Sequence, residues 1–130
     1  LSLLPKIASA LKQDDRRVDV LNEADDLESR SSAFEAFVSG ETDVLLTTDL
    51  AARGLDAPRT SLVVNFDVPR TATDYLHRAG RTARLGRNGA VLTICEENER
   101  FVVERFGNKL GVGIEEVEAG SEAYARLAGE

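Results

Sequence analysis

Arg78, Arg81, Arg84 and Arg87 recur every third residue in HRAGRTARLGRNG, 77 to 89. Guanidinium groups at this density suit a polyanion, because each offers a planar fork of donors to carboxylate or phosphate oxygens. A regular helix would scatter a three-residue spacing around its circumference, each step falling about 60° short of a turn. Gly80 and Gly86 also interrupt it. The stretch therefore reads as a helix end running into a loop, where several guanidinium groups can turn toward one anion.

A second constellation lies in TTDLAARGLDAP, 47 to 58, directly after an apolar run. Thr48 offers a hydroxyl where a helix could start, so that it and nearby backbone donors can face a phosphate oxygen. Arg53-Gly54 joins a cation to a residue that permits close approach of a ligand, and Asp56 supplies an acceptor suited to sugar hydroxyls or to an arginine. Ordinary readings stand beside these. TTDLAARG can be an N-capped turn with surface charges, and Asp74 with Arg78 can be a helical i,i+4 ion pair contributing a few tenths of a kcal/mol. That pair accounts for Arg78 but not for Arg81 or Arg84, and a lone histidine such as His77 is more often structural than catalytic.

The surroundings sharpen the contrast. The chain has 130 residues and a formal net charge of -7, yet 53 to 87 holds seven arginines against three acids. Such segregation lets an acidic protein present one positive face to a phosphate-bearing ligand. One histidine and one cysteine leave no zinc-ligand spacing, so no metal site is expected. Cys95, in the apolar run AVLTIC, reads as a buried structural thiol. No apolar run approaches the roughly 20 residues of a membrane span, and no signal peptide opens the chain, which predicts a soluble, intracellular protein. The absence of methionine and the opening LSLLPK predict a piece of a longer chain.

Positioning these residues falls to helices alternating with short apolar strands, the pattern of an α/β domain with a mostly parallel sheet. The length suits one globular domain. Helices are predicted over 3 to 13, with Leu4, Ile7, Ala8 and Leu11 apolar, and over 25 to 40, with Leu27, Phe34, Phe37 and Val38 at roughly helical spacing and Gly40 as the stop. Strands are predicted over 18 to 21, 43 to 48, 61 to 69 and 90 to 95, with Asn65, Asp67 and Pro69 marking the exit of the third. Thr71 caps a helix with Asp74 three residues on, placing His77 and Arg78 in its last turn before Gly80. A final helix, 97 to 110, is expected to turn Phe101, Val102 and Phe106 inward.

TTDLAARGLD, then VVNFDVP, then DYLHRAGRTARLGRNG resembles motifs V and VI of the second RecA-like lobe of DEAD-box RNA helicases, in order and at family spacing. Arg30, followed by Phe37 and Gly40, resembles motif IVa. The resemblance covers roughly residues 1 to 118. It implies a three-layer RecA-like sandwich; 119 to 130 reads as an acidic C-terminal tail. Because the family's motif IV strand would precede LLPKIASALKQ, the lobe is expected to lack its first strand.

The resemblance also implies roles. Arg81 and Arg84 match the arginine fingers that reach the γ-phosphate of ATP, and Asp56 matches the acid that contacts the ribose. Arg30, Thr48, Arg53 and Gly54 match positions that hold RNA phosphates, and His77 and Arg78 match groups that couple the two lobes. ATP and Mg2+ would be held mainly by the first lobe of the same protein, so this chain alone is expected to hydrolyse no ATP. RNA contacts are expected on the backbone and insensitive to sequence, since aromatic residues are only 5% of the chain. A monomer without membrane contact is expected.

Departures are local. Ala83 stands where the family usually has glycine and Ala79 where it has a bulkier aliphatic; Leu27 replaces a glutamine that often contacts RNA, and LNEAD replaces a histidine-glycine pair. A DEAH-type helicase or DNA translocase would begin the arginine motif with glutamine, so His77 favours the DEAD-box branch. A non-catalytic RNA-binding scaffold would have no need of Arg81 and Arg84.

Overall fold

The computed structural model describes residues 3–13, 15–82 and 89–118. They fall into two compact units, Leu1–Ala57 and Pro58–Glu130.

The first unit runs α1 (Leu3–Gln13), β1 (Val18–Leu21), α2 (Leu27–Ser39), β2 (Val44–Thr47) and α3 (Asp49–Ala52). β1 and β2 pair in parallel, Val18 opposite Val44 and Leu21 opposite Thr47. Parallel neighbours need a long crossover, which α2 supplies. The entry of the pair is clasped by charge: Arg17 Nη2 donates to Asp43 Oδ1 at 2.8 Å, and Arg17 Nε and backbone N–H both donate to Oδ2. The backbone N–H of Asp43 returns to Arg17 O at 2.8 Å. These bonds hold the Asp43 carboxyl well below the usual range, at about 2.

Asp26 caps α2 by accepting from Ser29 N–H, and Gly40 closes it in the left-handed region at φ 89°. The predicted apolar stripe of this helix is only partly realised. Leu27 is 71% exposed and Val38 is exposed, while Phe34 and Phe37 are half-buried. Leu27 occupies the first position of the helix, directly after its cap, so the stripe starts later than the sequence pattern suggested. Ala8, Val18, Leu21 and Ala51 form the buried apolar set among the described residues of this unit.

The second unit runs β3 (Leu62–Asn65), α4 (Ala72–Ala79), β4 (Ala90–Thr93), a short 3-10 turn (Glu97–Glu99) and α5 (Arg100–Leu110). β3 and β4 are again parallel, Leu62 opposite Ala90 and Asn65 opposite Thr93. Ala72 and Tyr75 on α4 meet Phe106 on α5, with Val68, Ala79, Val91, Val102 and Leu110 packed around them. The Tyr75 and Phe106 rings lie 6.0 Å apart at 39°. Burial pushes the Tyr75 hydroxyl pKa up.

Three expectations need correction here. β3 stops at Asn65, so Phe66 to Pro69 form its exit and not its end. β4 stops at Thr93, leaving Cys95 in the exposed segment beyond it, not in the core. Phe101 is 58% exposed, because the 3-10 turn delays the start of α5 and brings Val103 and Phe106 to the inner face.

Candidate functional site

In the first unit the parallel register brings the exits of β1 and β2 side by side, since Leu21 and Thr47 end their strands as partners. Thr48 follows at once in extended backbone, φ -107° and ψ 165°, and caps α3 by accepting the Ala51 N–H at 3.2 Å. Its hydroxyl proton goes to Glu23 Oε2 at 2.7 Å. Arg53 ends α3 and is exposed; Gly54 then adopts φ 79°, which a side-chain-bearing residue takes only under strain, and exposed Asp56 follows. Arg30, in the first turns of α2, is half-buried, and its Nε is buried with no hydrogen-bond partner.

Glu23 was not singled out from the sequence. Its carboxyl is held below the usual range by the Thr48 hydroxyl, then by its own backbone N–H, with Arg30 adding a favourable charge. The retrospective signal is the parallel pairing itself, which makes the residues just beyond two adjacent strands neighbours.

In the second unit α4 is fastened to both ends of β3. Thr71 Oγ1 accepts the Asp74 N–H at 3.0 Å and starts the helix, and Gly80 N–H to Leu76 O at 2.9 Å closes it. His77 is exposed in the last turn. Arg78 Nη1 reaches back to the strand exit, donating to Asp67 O at 3.0 Å, and to Asn65 Oδ1 and Asp67 Oδ1 at 3.2 Å. Asn65, read from sequence as an exit residue, is the buried last residue of the strand, 2% exposed, and its Nδ2 donates to Thr93 Oγ1 at 3.1 Å.

Beyond Gly80 the chain stays tightly turned, with Arg81 N–H on Arg78 O and Thr82 N–H on Ala79 O. Buried Thr82 donates its hydroxyl to Thr60 O at 2.7 Å, just before β3. Arg81 is therefore held on a turn fixed on either side. Arg84 and Arg87 lie outside the described residues, as does the 119 to 130 tail. Among the described residues no group of three or more histidine, cysteine or carboxylate side chains could hold a metal ion, and no helix is long and apolar enough to cross a membrane.

Chemically, the first unit offers a hydroxyl and two guanidinium groups beside closely spaced strand exits, and the second a guanidinium on a rigid turn. Both sets suit phosphate oxygens.

The chain matches the helicase conserved C-terminal domain over residues 3–86. It is 44% identical over 86 residues, 66% of its length, to DEAD-box ATP-dependent RNA helicase 36 of Arabidopsis thaliana, and 44% identical over 78 residues, 60% of its length, to ATP-dependent RNA helicase SrmB of Escherichia coli. It spans 18% of the length of each. Among solved structures it is similar to the C-terminal domain of the DEAD-box protein Dbp5, with TM-score 0.85 and 27% identity over 98% of this chain and 76% of that one. It is also similar to Dbp5 of S. cerevisiae bound to RNA and ADP BeF3, with TM-score 0.78 and 28% identity over 95% of this chain and 33% of that one.

Proposed function

Since the chain belongs to the helicase conserved C-terminal domain family and is a RecA-like lobe of the DEAD-box type, we propose that it serves as the second lobe of an ATP-dependent RNA helicase. The observation that carries this reading is Arg81 on a turn tied through the Thr82 hydroxyl to Thr60 O, just before β3, and following Arg78, which reaches Asn65 and Asp67. Arg81 and Arg84 act as fingers toward the γ-phosphate of ATP, and Asp56 accepts from the ribose. Thr48, Arg53 and Arg30 hold RNA phosphates, with Gly54 leaving room for the strand. His77 and Arg78 transmit between lobes.

Phosphoryl transfer depends on positioning and charge neutralisation more than on covalent help, and an arginine supplied across a cleft is worth on the order of 10³ to 10⁵ in rate. That corresponds to about 4 to 7 kcal/mol of barrier. With fingers on one lobe and the ATP and Mg2+ cradle on the other, turnover requires the lobes to meet. RNA contacting both favours that meeting, which links strand binding to hydrolysis. The whole protein would thereby unwind or remodel RNA through backbone contacts, without reading sequence.

The test is Arg84→Ala and Arg81→Ala in the full-length protein that carries this chain. RNA-stimulated ATPase should fall by about a thousandfold or more while RNA binding is largely kept. Unchanged ATPase would sink the enzyme reading and favour a scaffold.

A further inference from the structure

The surface read as an RNA site already holds an anion of its own. Thr48 has one proton to donate, and it gives that proton to Glu23 Oε2 at 2.7 Å while its oxygen accepts the Ala51 N–H. The Glu23 carboxylate also lies in the field of Arg30. Arg30 meanwhile keeps a buried Nε without a hydrogen-bond partner. The carboxylate thus takes up the Thr48 hydroxyl that a phosphate oxygen would have to take up.

We infer that Glu23 is a built-in competitor for the RNA phosphate, which must leave the Thr48 hydroxyl before the strand can take it. The inference rests on the reading of Thr48 and Arg30 as phosphate contacts. Glu23 belongs to the half-exposed exit of β1, two residues past the end of the strand, so its side chain has solvent to move into. A phosphate that arrived while the carboxylate stayed would share one hydroxyl between two anions, which repel at that separation. Each binding event therefore includes expulsion of Glu23, and each release is assisted by its return. A residue of this kind weakens the hold on the strand without touching the nucleotide.

The experiment measures binding of a short single-stranded oligouridylate to the full-length protein by fluorescence anisotropy. Glu23→Ala should tighten binding by about three- to tenfold, the span of one net hydrogen bond. Glu23→Gln, which keeps an acceptor for Thr48 but loses the charge, should give part of that gain. In a Thr48→Val background the gain should shrink below about twofold, because the shared hydroxyl is gone.

Equal gains with and without Thr48 would overturn the inference, since they would mark a diffuse charge effect. Binding that is unchanged or weakened in both Glu23 variants would overturn it too. Arg53→Ala and Thr48→Val separate the two failures. If they weaken binding while Glu23→Ala does not strengthen it, the RNA site stands and the competitor falls; if neither weakens binding, the RNA site itself falls and the competitor with it.

Discussion

The Thr82 hydroxyl donates to the Thr60 carbonyl at 2.7 Å from a buried position, tying the turn that carries Arg81 to the entry of β3. Thr82→Val preserves shape and removes the donor from a buried position, so it should cost about 0.5 to 1.5 kcal/mol in urea melts. Thr82→Ser should restore most of this. In the full-length protein the valine variant should also lose ATPase relative to the serine variant; equal activity would mean that the bond does not place Arg81.

Asn65 bridges Thr93 and Arg78, and its burial makes both bonds costly to lose. Asn65→Leu should destabilise by about 1 to 3 kcal/mol, because it removes from a buried site one bond to each of two elements. A cycle with Arg78→Lys should show a coupling of about 0.5 to 3 kcal/mol by denaturant titration. Strict additivity would show that Arg78 gains nothing from Asn65.

Acid should loosen the first unit at its clasp. The Asp43 carboxyl, at about 2, lies below its ordinary value of about 3.9 because Arg17 hydrogen-bonds it. The unfolded chain therefore binds that proton first as pH falls. The clasp's contribution is complete above about pH 5 and is lost progressively toward pH 2. Asp43→Asn should flatten the fall of the urea midpoint between these limits without abolishing it, since Glu23 and Asp26 carboxyls are lowered as well. An unchanged acid limb would rule the clasp out.

Gly54 separates a backbone need from a ligand need. A Cβ built there meets nothing within 4 Å, yet the φ of 79° is strained for other residues. Gly54→Ala should cost about 1 to 2 kcal/mol of stability and Gly54→Asn less, as asparagine tolerates that region. If the RNA strand comes close there, both should weaken oligouridylate binding alike; normal binding by the asparagine variant would leave only the backbone role.

Much of this was legible in the chain. Thr48 and Thr71 as caps and Gly40 as a stop follow from side-chain chemistry that acts within a few residues. What escaped reading depended on partners distant in sequence. Cys95 looked buried because AVLTIC is apolar but for Thr93, and nothing local says that pairing with β3 ends there. Asn65 looked like a turn residue until Thr93 and Arg78 met it. Glu23 was visible only as part of the departure LNEAD, because the register of β1 on β2 is what sets it against Thr48.

Arg17 and Asp43 stand at one end of the β1–β2 pair, Glu23 and Thr48 at the other. Side chains alternate along a strand, so sliding β1 by a single residue would turn every contact at the far end to the opposite face. A clasp that touches no ligand thereby governs which groups a ligand meets. Descendants of this chain should tolerate drift at 17 only when 43 drifts with it, and the joint substitution record of those two positions should be tighter than that of any solvent-facing pair nearby.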